Sequence, residues 1–561
     1  MCGIFAVLSS NTKGDDSFET KNFHKGQNSG PEHSVCTRVN ENILFGFHRL
    51  AINGYSNPNS EQPICIENCV LICNGEIYNW KELHSLLDIP AKTGSDCEII
   101  IHLYKRFGIE YTLNKLDGVF AFVLYDKEKE QVFIARDPFG VRPLFISSNK
   151  DHSNYFYTLS SELKMITHMI NDTTYAAKQF QPGSYAKINL KQSGKMTQQQ
   201  YYNNVCTEIG MWQVGRIQPH DMSQYTLLIR NNLIAAVKKR IDNTDREIAC
   251  LLSGGLDSSL ITALVAKFRG TKKLHTWSIG MEGSEDLKCA KKVADYLGTD
   301  HHSIELSTEE FIDAIESVIQ AIESYDTTTV RASVGNWLIS KYIKENSNAK
   351  VIFNGDGSDE VTGGYMYFHY APNALAFDNE CKRLLKDIHY FDVLRSDRSI
   401  SSHGLEARTP FLDKNFIQSY LSIPSKYRFQ IMKETKIEKY LLRKAFDNED
   451  TLWSRARPLL PKDVLWRRKE AFSDGVSAQK ESWFEMIQKY AKEKYKDMNL
   501  DGPCCEKYLY REIFNKYYPN CKKVIPYMWM PKFVNALDAS ARTLDVYKSN
   551  HTKENIKLEC C

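Results

Sequence analysis

The chain has 561 residues, of which 42% are hydrophobic and 25% are charged, a composition typical of folded globular domains. This length accommodates roughly three or four average domains, or two large ones. Lysine and arginine exceed aspartate and glutamate by only three, 72 against 69, without a dense basic stripe, so we expect no nucleic acid partner. Because no apolar run is long enough for a membrane helix, we expect no membrane association either.

The cysteines and the N-terminus indicate the compartment. The 15 cysteines are an odd number scattered along the chain, which favours reduced thiols over a disulfide framework. Residues 1–10 lack the basic start of a secretory signal peptide. We therefore expect a cytoplasmic protein.

Two cysteine groups have a second interpretation. Cys65, Cys69 and Cys73 would align as metal ligands on a helix, but their segment is typical of strands around a turn, which would separate them. We predict ordinary thiols there and no protein-held metal centre. The terminal Cys560-Cys561 pair resembles a double-prenylation ending, although the short polar tail before it favours unmodified thiols.

The first candidate catalytic residue is Cys2. A small second residue allows removal of Met1, which would leave Cys2 with a free α-amine whose pKa is about 8. That amine can accept the thiol proton, so one residue would supply both nucleophile and base. A cysteine at position 2 is usually incidental, but residues 3–7 are typical of a buried strand that would fix the chain terminus inside a site.

Three segments, 47–52, 74–79 and 93–98, follow along the chain. Together with Cys2 they resemble the class II glutamine amidotransferase family, in which a four-layer αββα sandwich places an N-terminal nucleophile at a sheet edge. The resemblance implies that the planar fork of Arg49 clamps the α-carboxylate of glutamine. The glutamine-binding segment would comprise Arg49, Leu50, Ala51, Ile52 and Asn53.

The same resemblance assigns the remaining roles at a glutamine site. Glu76 and Asp96 would hold the α-ammonium group. Asn74, through its side-chain amide, and Gly75, through its backbone N–H, would form the oxyanion hole. Simpler interpretations exist, because Asn-Gly is a common hairpin turn and an arginine–carboxylate pair is often a surface ion pair. Four motifs in the family order favour the functional interpretation.

One loop departs from the family pattern. Where the family usually carries His-Arg-Gly-Pro-Asp, this chain has Asn28-Ser29-Gly30-Pro31-Glu32. A basic pair near the glutamine site is lost, so we expect the glutaminase rate, or its coupling to a second site, to be altered.

The rest of the first part is predicted to be framework. Segments 116–122 and 135–144 match a buried strand and a turn of the family, and 181–185 matches its exit turn and closing strand. The polar stretch 191–202 is predicted to be the domain boundary and linker. We therefore expect the amidotransferase domain to span 1–200, followed by a linker at 201–220.

The stretch 247–264 is typical of a strand, a glycine turn and a helix. Its turn, Ser253-Gly254-Gly255, would bring backbone N–H groups and the positive end of a helix dipole together, which suits a tetrahedral oxyanion. No lysine follows the glycines, so this is not a Walker A loop. It resembles the pyrophosphate loop of enzymes that cleave ATP between its α and β phosphates. An ordinary turn with a serine N-cap is the simpler alternative.

Alternating apolar runs and helical patterns predict an α/β structure with a parallel sheet. We expect a helix at 225–240 and strands at 275–280 and 351–353. Because ligands of open α/β sheets bind at the carboxyl ends of strands, the loops after these strands should meet over one nucleotide. The predicted ATP-binding residues are Leu251, Ser253, Gly254, Gly255, Asp257, Ser258, Ser259, Ile279, Asn354 and Gly355. Leu251 and Ile279 would flank the adenine, and Asp257 would hold the Mg²⁺ that accompanies ATP.

With these additions the whole chain resembles the glutamine-hydrolysing asparagine synthetase family. The markers that carry this resemblance are Asp397-Arg398 and the segments 325–333, 403–413, 467–475 and 529–532. The synthetase domain would then span 221–545, followed by a polar tail at 546–561.

The resemblance implies two catalytic residues in this second part. Lys469 would neutralise charge on the pyrophosphate leaving group, whereas a lysine beside Glu470 could otherwise form a solvated ion pair. Asp356 stands where the family commonly has Glu and Asn354 where it has Ser. Asp356 keeps the carboxylate with a reach about one C–C bond shorter, and rates respond to shifts of that size.

The implied reaction joins the two parts. ATP would activate the side-chain carboxylate of aspartate as β-aspartyl-AMP with release of pyrophosphate, and ammonia freed from glutamine would attack it. The expected partners are therefore small molecules: L-glutamine, L-aspartate and ATP; a homodimer is compatible with the resemblance. The alternatives are a sister amidotransferase that adenylates another carboxylate, such as a β-lactam-forming synthetase, and a non-catalytic relative. The intact candidate residues disfavour the second alternative.

Overall fold

The computed structural model describes residues 2–10, 16–149, 155–169, 175–191, 194–203, 222–270, 273–447, 457–469, 475–477 and 481–545. The expected tail at 546–561, with Cys560 and Cys561, lies outside the described residues. So do nearly all of the linker at 201–220 and residues 470–474 beside Lys469.

Two antiparallel sheets form the first half of the described chain. Their orders are β10-β8-β9-β1-β3-β2 and β12-β11-β7-β6-β5-β4. The strands are β1 (Gly3–Ser9), β2 (His33–Asn40), β3 (Ile43–Arg49), β4 (Ile64–Ile66), β5 (Cys69–Ile77), β6 (Gly118–Asp126), β7 (Gln131–Arg136), β8 (Phe145–Asn149), β9 (Phe156–Ser160), β10 (Tyr175–Gln179), β11 (Ser184–Asn189) and β12 (Met196–Gln200).

The alternation of side chains along these strands produces a four-layer packing. On β1, Ile4, Ala6 and Leu8 point into the core between the two sheets, whereas Phe5 points the other way and packs on Phe23 of helix α1 (Asp16–Phe23). The outer face of the second sheet is covered by α2 (Trp80–Leu87), α3 (Glu98–Phe107) and α4 (Ile109–Lys115). This helix, sheet, sheet, helix order confirms the predicted αββα sandwich.

The second half is built on a parallel sheet of order β15-β14-β13-β16-β17. Its strands are β13 (Ile248–Leu251), β14 (His275–Met281), β15 (Asp300–Leu306), β16 (Val351–Phe353) and β17 (Glu406–Arg408). The chain runs outward from β13 to β15 and then returns to the other side of β13. The strand order therefore reverses between β13 and β16, which is where such sheets form a ligand crevice at their carboxyl edge.

Helices pack around this sheet and form much of the rest of the second half. They are α5 (Met222–Asp242), α6 (Leu256–Phe268), α7 (Glu285–Leu297), α8 (Thr308–Ile322), α9 (Thr327–Asn346), α10 (Ser358–Thr362), α11 (Ala374–Asp387), α12 (Asp392–Ser401), α13 (Lys414–Leu421), α14 (Ser425–Thr435), α15 (Tyr440–Phe446), α16 (Lys462–Leu465), α17 (Trp483–Lys494) and α18 (Gly502–Tyr517). The expected helix at 225–240 and the expected strands at 275–280 and 351–353 are all present. None of the described helices is long and apolar enough to cross a bilayer.

The polar stretch 191–202 differs from its prediction. Rather than being wholly a linker, it contains β12, which pairs with β11 from Ser184↔Gln200 to Ile188↔Met196. An edge strand is held by backbone hydrogen bonds and needs few apolar side chains. Because β12 consists largely of glutamines, it shows no hydrophobic periodicity and could not be predicted from that pattern.

The cysteine segment follows its prediction. Cys65 lies on β4 and is exposed, whereas Cys69 and Cys73 lie on β5 and are buried. The three thiols belong to two antiparallel strands and do not share a helix face.

Candidate active sites

The first candidate site begins at Cys2, immediately before β1. Its Sγ lies 3.5 Å from the backbone oxygen of Leu50. Burial raises the pKa of the Cys2 thiol to about 12, against the opposing effect of the terminal ammonium of the chain. In this form, with Met1 still in front of it, the thiol is protonated at neutral pH and needs a nearby base to react.

Arg49 ends β3 and its guanidinium is largely buried. It donates to the Gly54 oxygen at 3.3 Å and to the Ser60 hydroxyl, and it lies 3.7 Å from Glu61. The loop 54–61 thus orients the planar fork that would meet the carboxylate of glutamine. Asn53 lies between this loop and the acidic part of the site, because its amide donates to Glu76 at 2.7 Å.

Asn74 and Gly75 lie on β5, where no room exists for a side chain at position 75. A Cβ there would lie 2.6 Å from the Val119 oxygen on β6. The N–H groups of successive strand residues alternate in direction. The N–H of Cys73 donates to Gln62 and that of Ile77 to Asp96, each at 2.6 Å, so the Gly75 N–H points to the same side, between them.

Glu76 and Asp96 are buried carboxylates. Glu76 accepts hydrogen bonds from Asn53 and from Asn243 at 2.8 Å, and it lies 3.1 Å from the Arg408 guanidinium. Burial raises the pKa of Asp96 to about 6. Burial, together with the negative charges of Glu406 and Asp96, also raises the pKa of Glu76 well above its usual range. An approaching ammonium group would favour ionisation of both carboxyls.

The loop 28–32, which departs from the family pattern, lies beside a guanidinium from another part of the chain. Ser29 is buried, and its hydroxyl donates to Glu162 at 2.5 Å. Arg398, from the second half of the chain, donates to Ser29 at 3.4 Å and forms an ion pair with Glu162. A positive charge therefore lies beside position 29 although residue 29 itself carries none.

The second candidate site is a cavity of about 200 Å³ at the carboxyl ends of β13, β14 and β16. The predicted nucleotide residues that line it are Leu251, Ser253, Gly255, Asp257, Ser258, Ile279, Asn354 and Gly355. The two predicted catalytic residues of this half, Asp356 and Lys469, line it as well. The crevice expected from the strand order is thus where the sequence motifs converge.

Gly254 and Ser259 do not line this cavity. Gly254 has φ +74° and packs so closely on α7 that a Cβ would lie 2.5 Å from the Ala290 nitrogen, so it shapes the turn. Ser259 is fully buried, and its N–H donates to the Gly255 oxygen. Ser259 is therefore buried within helix α6 away from the lining of the cavity, and its contact with ATP stays a prediction.

Two lysines lie against two aspartates at the rim of the cavity. Lys439 Nζ lies 2.5 Å from Asp257 and 2.7 Å from Asp359, and Lys469 Nζ lies 2.7 Å from the other oxygen of Asp359. Burial opposes ionisation of Asp359, but the two lysines outweigh it and lower its pKa. The same carboxylates raise the pKa of Lys469 although burial alone would lower it. Asp359 and Lys469 therefore both keep their charge at neutral pH.

Asp356 faces an arginine in the same cavity. Arg395 on α12 donates to Asp356 at 3.1 Å and to Asp392 at 3.1 Å. The Asn354 side chain holds the loop, since its amide donates to Ser396 at 2.7 Å and its oxygen accepts from the Asp356 N–H at 3.3 Å. The shorter acid is thus fixed in one register.

Sequence reasoning assigned no role to Lys439, Arg395 or Asp359. Lys439 has φ +59° just before α15, and Arg395 lies inside an ordinary helix. Neither carries a local motif, so their places in the cavity depend on tertiary packing. Asp359 lies inside the loop motif 354–360. The presence of a second acidic residue in this motif was the sequence signal that could have indicated its place in the cavity.

Comparison of the sequence with known proteins shows the family of the chain. The sequence model of the Asparagine synthase family matches residues 228–378 and 371–541, and that of the Glutamine amidotransferase domain matches residues 1–206. The chain is 41% identical over 582 residues to "Asparagine synthetase [glutamine-hydrolyzing]" of Gallus gallus, covering 98% of this chain and 99% of that protein. The chain belongs to the asparagine synthetase family. The proteins of the same name from Mus musculus, 42% identical over 578 residues, and Homo sapiens, 41% identical over 581 residues, cover the same shares of both chains.

The match to the asparagine synthetase family spans both candidate sites. It therefore includes the segments in which this chain differs from the usual motif, residues 28–32 and 354–360.

Proposed function

We propose that the protein makes L-asparagine from L-aspartate, with ATP as the activating substrate and L-glutamine as the nitrogen donor. The products are L-asparagine, AMP, pyrophosphate and L-glutamate, and β-aspartyl-AMP is the intermediate. The observation that supports this proposal is the presence, in one chain, of a candidate glutamine site that begins at Cys2 and of a cavity at the switch point of a parallel sheet.

In the glutaminase half, Cys2 attacks the side-chain amide of glutamine. Its α-amine, freed by removal of Met1, accepts the thiol proton and then gives a proton to the departing ammonia. The Asn74 amide and the Gly75 N–H stabilise the oxyanion of each tetrahedral intermediate. Water then hydrolyses the thioester to release glutamate.

In the synthetase half, the aspartate side-chain carboxylate attacks the α-phosphorus of ATP and pyrophosphate leaves. The N–H groups of the glycine turn and the start of α6 suit the phosphate oxygens. Lys469 and Lys439 carry the charge that the leaving pyrophosphate requires. Leu251 and Ile279 supply apolar surface for the adenine, and Asp356, aligned by Arg395, faces the reacting groups.

Mg²⁺ is expected to accompany ATP. The carboxylates of Asp257 and Asp359 are oxygen ligands of the type that Mg²⁺ prefers, and both residues line the cavity. When bound, the ion would neutralise phosphate charge and orient the leaving group. Lys439, which now bridges the two carboxylates, would give up part of that contact.

Two further expectations go with this function. Free thiols at the described cysteines support a cytoplasmic location, because that compartment keeps thiols reduced. A homodimer is compatible with this function, and sedimentation of the purified chain measures the oligomeric state.

The test is to mix ATP, aspartate and glutamine with the purified protein and to quantify asparagine, glutamate, AMP and pyrophosphate together. We expect asparagine, AMP and pyrophosphate in equal amounts and at least as much glutamate. A sister amidotransferase would release no pyrophosphate with aspartate, and a non-catalytic relative would form none of these products. Formation of ADP and phosphate instead would contradict the adenylate.

A further inference from the structure

A second group of reactive side chains lies at the amino-terminal edge of the parallel sheet, opposite the nucleotide cavity. His275 begins β14 and Asp300 begins β15, and the ladder pairs them with each other. His302 is paired with Trp277, two residues further along each strand. Because side chains two residues apart share a face, His275, Asp300 and His302 gather on one face of this edge.

The ligand-type atoms of these residues converge on one point. His275 Nδ1 lies 3.4 Å from His302 Nε2 and 3.5 Å from Asp300 Oδ2, and one such atom from each residue lies within 4.8 Å of the others. Ligands bound at about 2.0–2.1 Å to a tetrahedral Zn²⁺ are about 3.3 Å apart. Two edges of the required tetrahedron are therefore already near their final length.

Hydrogen bonding alone satisfies this group less well than a cation would. A proton on His275 Nδ1 can point to His302 or to Asp300 but not to both. Lys273 lies 3.6 Å from Oδ1 of Asp300, and this leaves Oδ2 facing the imidazole. A divalent ion would accept the lone pairs of all three residues at once.

A carboxylate and an indole ring lie against the two imidazoles. Glu247 lies 3.6 Å from His275 Nε2, on the far side of the ring from Nδ1. A carboxylate at that place favours the tautomer in which Nδ1 is a free ligand, as in carboxylate–histidine–zinc arrangements. The His302 ring stacks on Trp277 with centroids 4.1 Å apart and an interplanar angle of 17°.

We propose that His275, His302 and Asp300 bind one divalent cation of the Zn²⁺ class, with Glu247 as the positioning carboxylate. Two imidazoles and a carboxylate suit Zn²⁺, whereas Mg²⁺ requires oxygen ligands. The fourth position is open to water. All four side chains are about a third exposed or only partly buried, so an ion can enter. Trp277, on which the His302 ring stacks, also lines the nucleotide cavity.

This site differs from the expectation that the chain holds no metal centre. Asp300 and His302 are two residues apart, but His275 lies on the preceding strand and completes no recognised ligand spacing. Only the register of β14 on β15 brings them together, and that register is not visible in the sequence.

Calorimetric titration with ZnCl₂ tests the proposal, using the full tag-free chain stripped with a chelator. We expect one high-affinity site per chain. The double variant His275→Gln/His302→Gln should lose it, and the isosteric Glu247→Gln should weaken it by about 10–100-fold. His33→Gln is the matched control, because His33 is also a part-exposed histidine 3.5 Å from a glutamate, Glu61, and this variant should bind Zn²⁺ like the parent.

Two further measurements distinguish binding at this site from Zn²⁺ binding to thiols or to a misfolded chain. Zn²⁺ should raise the melting temperature of the parent and of His33→Gln but not of the double variant, and equal melting temperatures without metal would show that all three fold alike. CoCl₂ should give the visible bands of a tetrahedral nitrogen and oxygen site. A thiolate charge-transfer band, or unchanged Zn²⁺ affinity in the double variant, would overturn the proposal.

Discussion

The guanidinium of Arg408 lies 3.1 Å from the carboxylate of Glu76 in the proposed glutamine site. The backbone oxygen of the same arginine accepts the N–H of Asn354, in the ATP loop, at 3.1 Å. Arg408 is fully buried on β17 and also binds Glu406 at 2.7 Å. One residue therefore contacts both proposed sites directly, which gives the two reactions a physical link.

Arg408→Lys should uncouple the two reactions. Lysine keeps the charge but cannot reproduce the planar fork that contacts Glu76, Glu406 and two backbone oxygens. We expect more glutamate than asparagine to form, and a loss of about 1–3 kcal/mol of stability from the acceptors left unpaired. The measurement is the ratio of glutamate to asparagine, with thermal unfolding alongside. Arg38→Lys, at an exposed arginine that donates to the Glu41 oxygen, is the control. A ratio that matches the parent would remove Arg408 from this role.

Cys2→Ala should abolish asparagine formation from glutamine and preserve formation from added ammonium salt. The reason is that Cys2 lies in the first sandwich, whereas the groups around ATP all come from the second half. Cys65→Ala, at an exposed thiol, should change neither activity. Equal loss of both activities in Cys2→Ala would mean that Cys2 is not confined to glutamine hydrolysis.

A chain that keeps its initiator should behave like Cys2→Ala. Burial holds the pKa of the thiol at about 12 while Met1 precedes it, so without an adjacent free amine the thiol stays protonated. Insertion of Leu between Met1 and Cys2 prevents removal of the initiator. Mass spectrometry of the terminus and the glutaminase assay check the outcome, and normal glutamate release from the extended chain would show that another group is the base.

Lys469→Met and Lys439→Met should each reduce aspartate-dependent pyrophosphate release by about 10²–10³-fold, the usual cost of one electrostatic group at a transition state. Asp257→Ala should reduce it too. Glutamine hydrolysis should persist in all three, since none of these residues is near the thioester. Lys496→Met, at an exposed lysine, is the control. Pyrophosphate release at the parental rate in either lysine variant would remove that lysine from the mechanism.

Asp356→Glu should lower the rate of adenylation rather than raise it, although it restores the acid that is common in the family. The loop is fixed by Asn354 and Ser396, and Asp356 is matched to Arg395 at 3.1 Å, so an extra methylene is overpacked at a cost of about 1–3 kcal/mol. Pyrophosphate release with ammonia as donor measures this without involving the altered residues 28–32. Asp356→Asn, which keeps the size and removes the charge, separates shape from charge. A Glu variant faster than the parent would show that the shorter acid merely weakens the enzyme.

The affinity for glutamine should fall in acid. In the proposed site the α-ammonium of glutamine binds the ionised form of Asp96, and burial raises the pKa of this carboxyl to about 6. Below that pH the free enzyme carries mostly the neutral form, so the KM for glutamine should rise about fivefold between about pH 6 and about pH 5 and more steeply below that. The raised pKa of Glu76 acts in the same direction. Asp96→Asn should have a high KM at every pH, and a flat KM in the parent would argue against Asp96 as the ammonium partner.

The features that could be predicted from the sequence are those with short-range signals. A few consecutive residues are enough to predict each of three features: the strand before Ser253, the glycine turn and the loop after Phe353. The strand order of the sheet then brings these features together. Ser259 shows the limit of this, because helix phase decides which of two adjacent serines faces the cavity. Lys439, Arg395 and Arg408 reach their sites through tertiary packing of elements far apart in sequence. The register of β14 on β15, which brings His275 and His302 together, also depends on tertiary packing and could not be predicted from the sequence.

The transfer of nitrogen between the two sites is the claim that joins every part of the proposed function, and isotope labelling tests it most directly. The purified protein is given ATP, aspartate and glutamine labelled with ¹⁵N in its amide, in the presence of excess unlabelled ammonium. We predict that asparagine carries the label in a much larger fraction than the ammonium in solution does, because the ammonia passes inside the protein. Asparagine with the same isotopic composition as the ammonium in solution would contradict internal transfer, and absence of labelled asparagine altogether would contradict glutamine as the nitrogen donor.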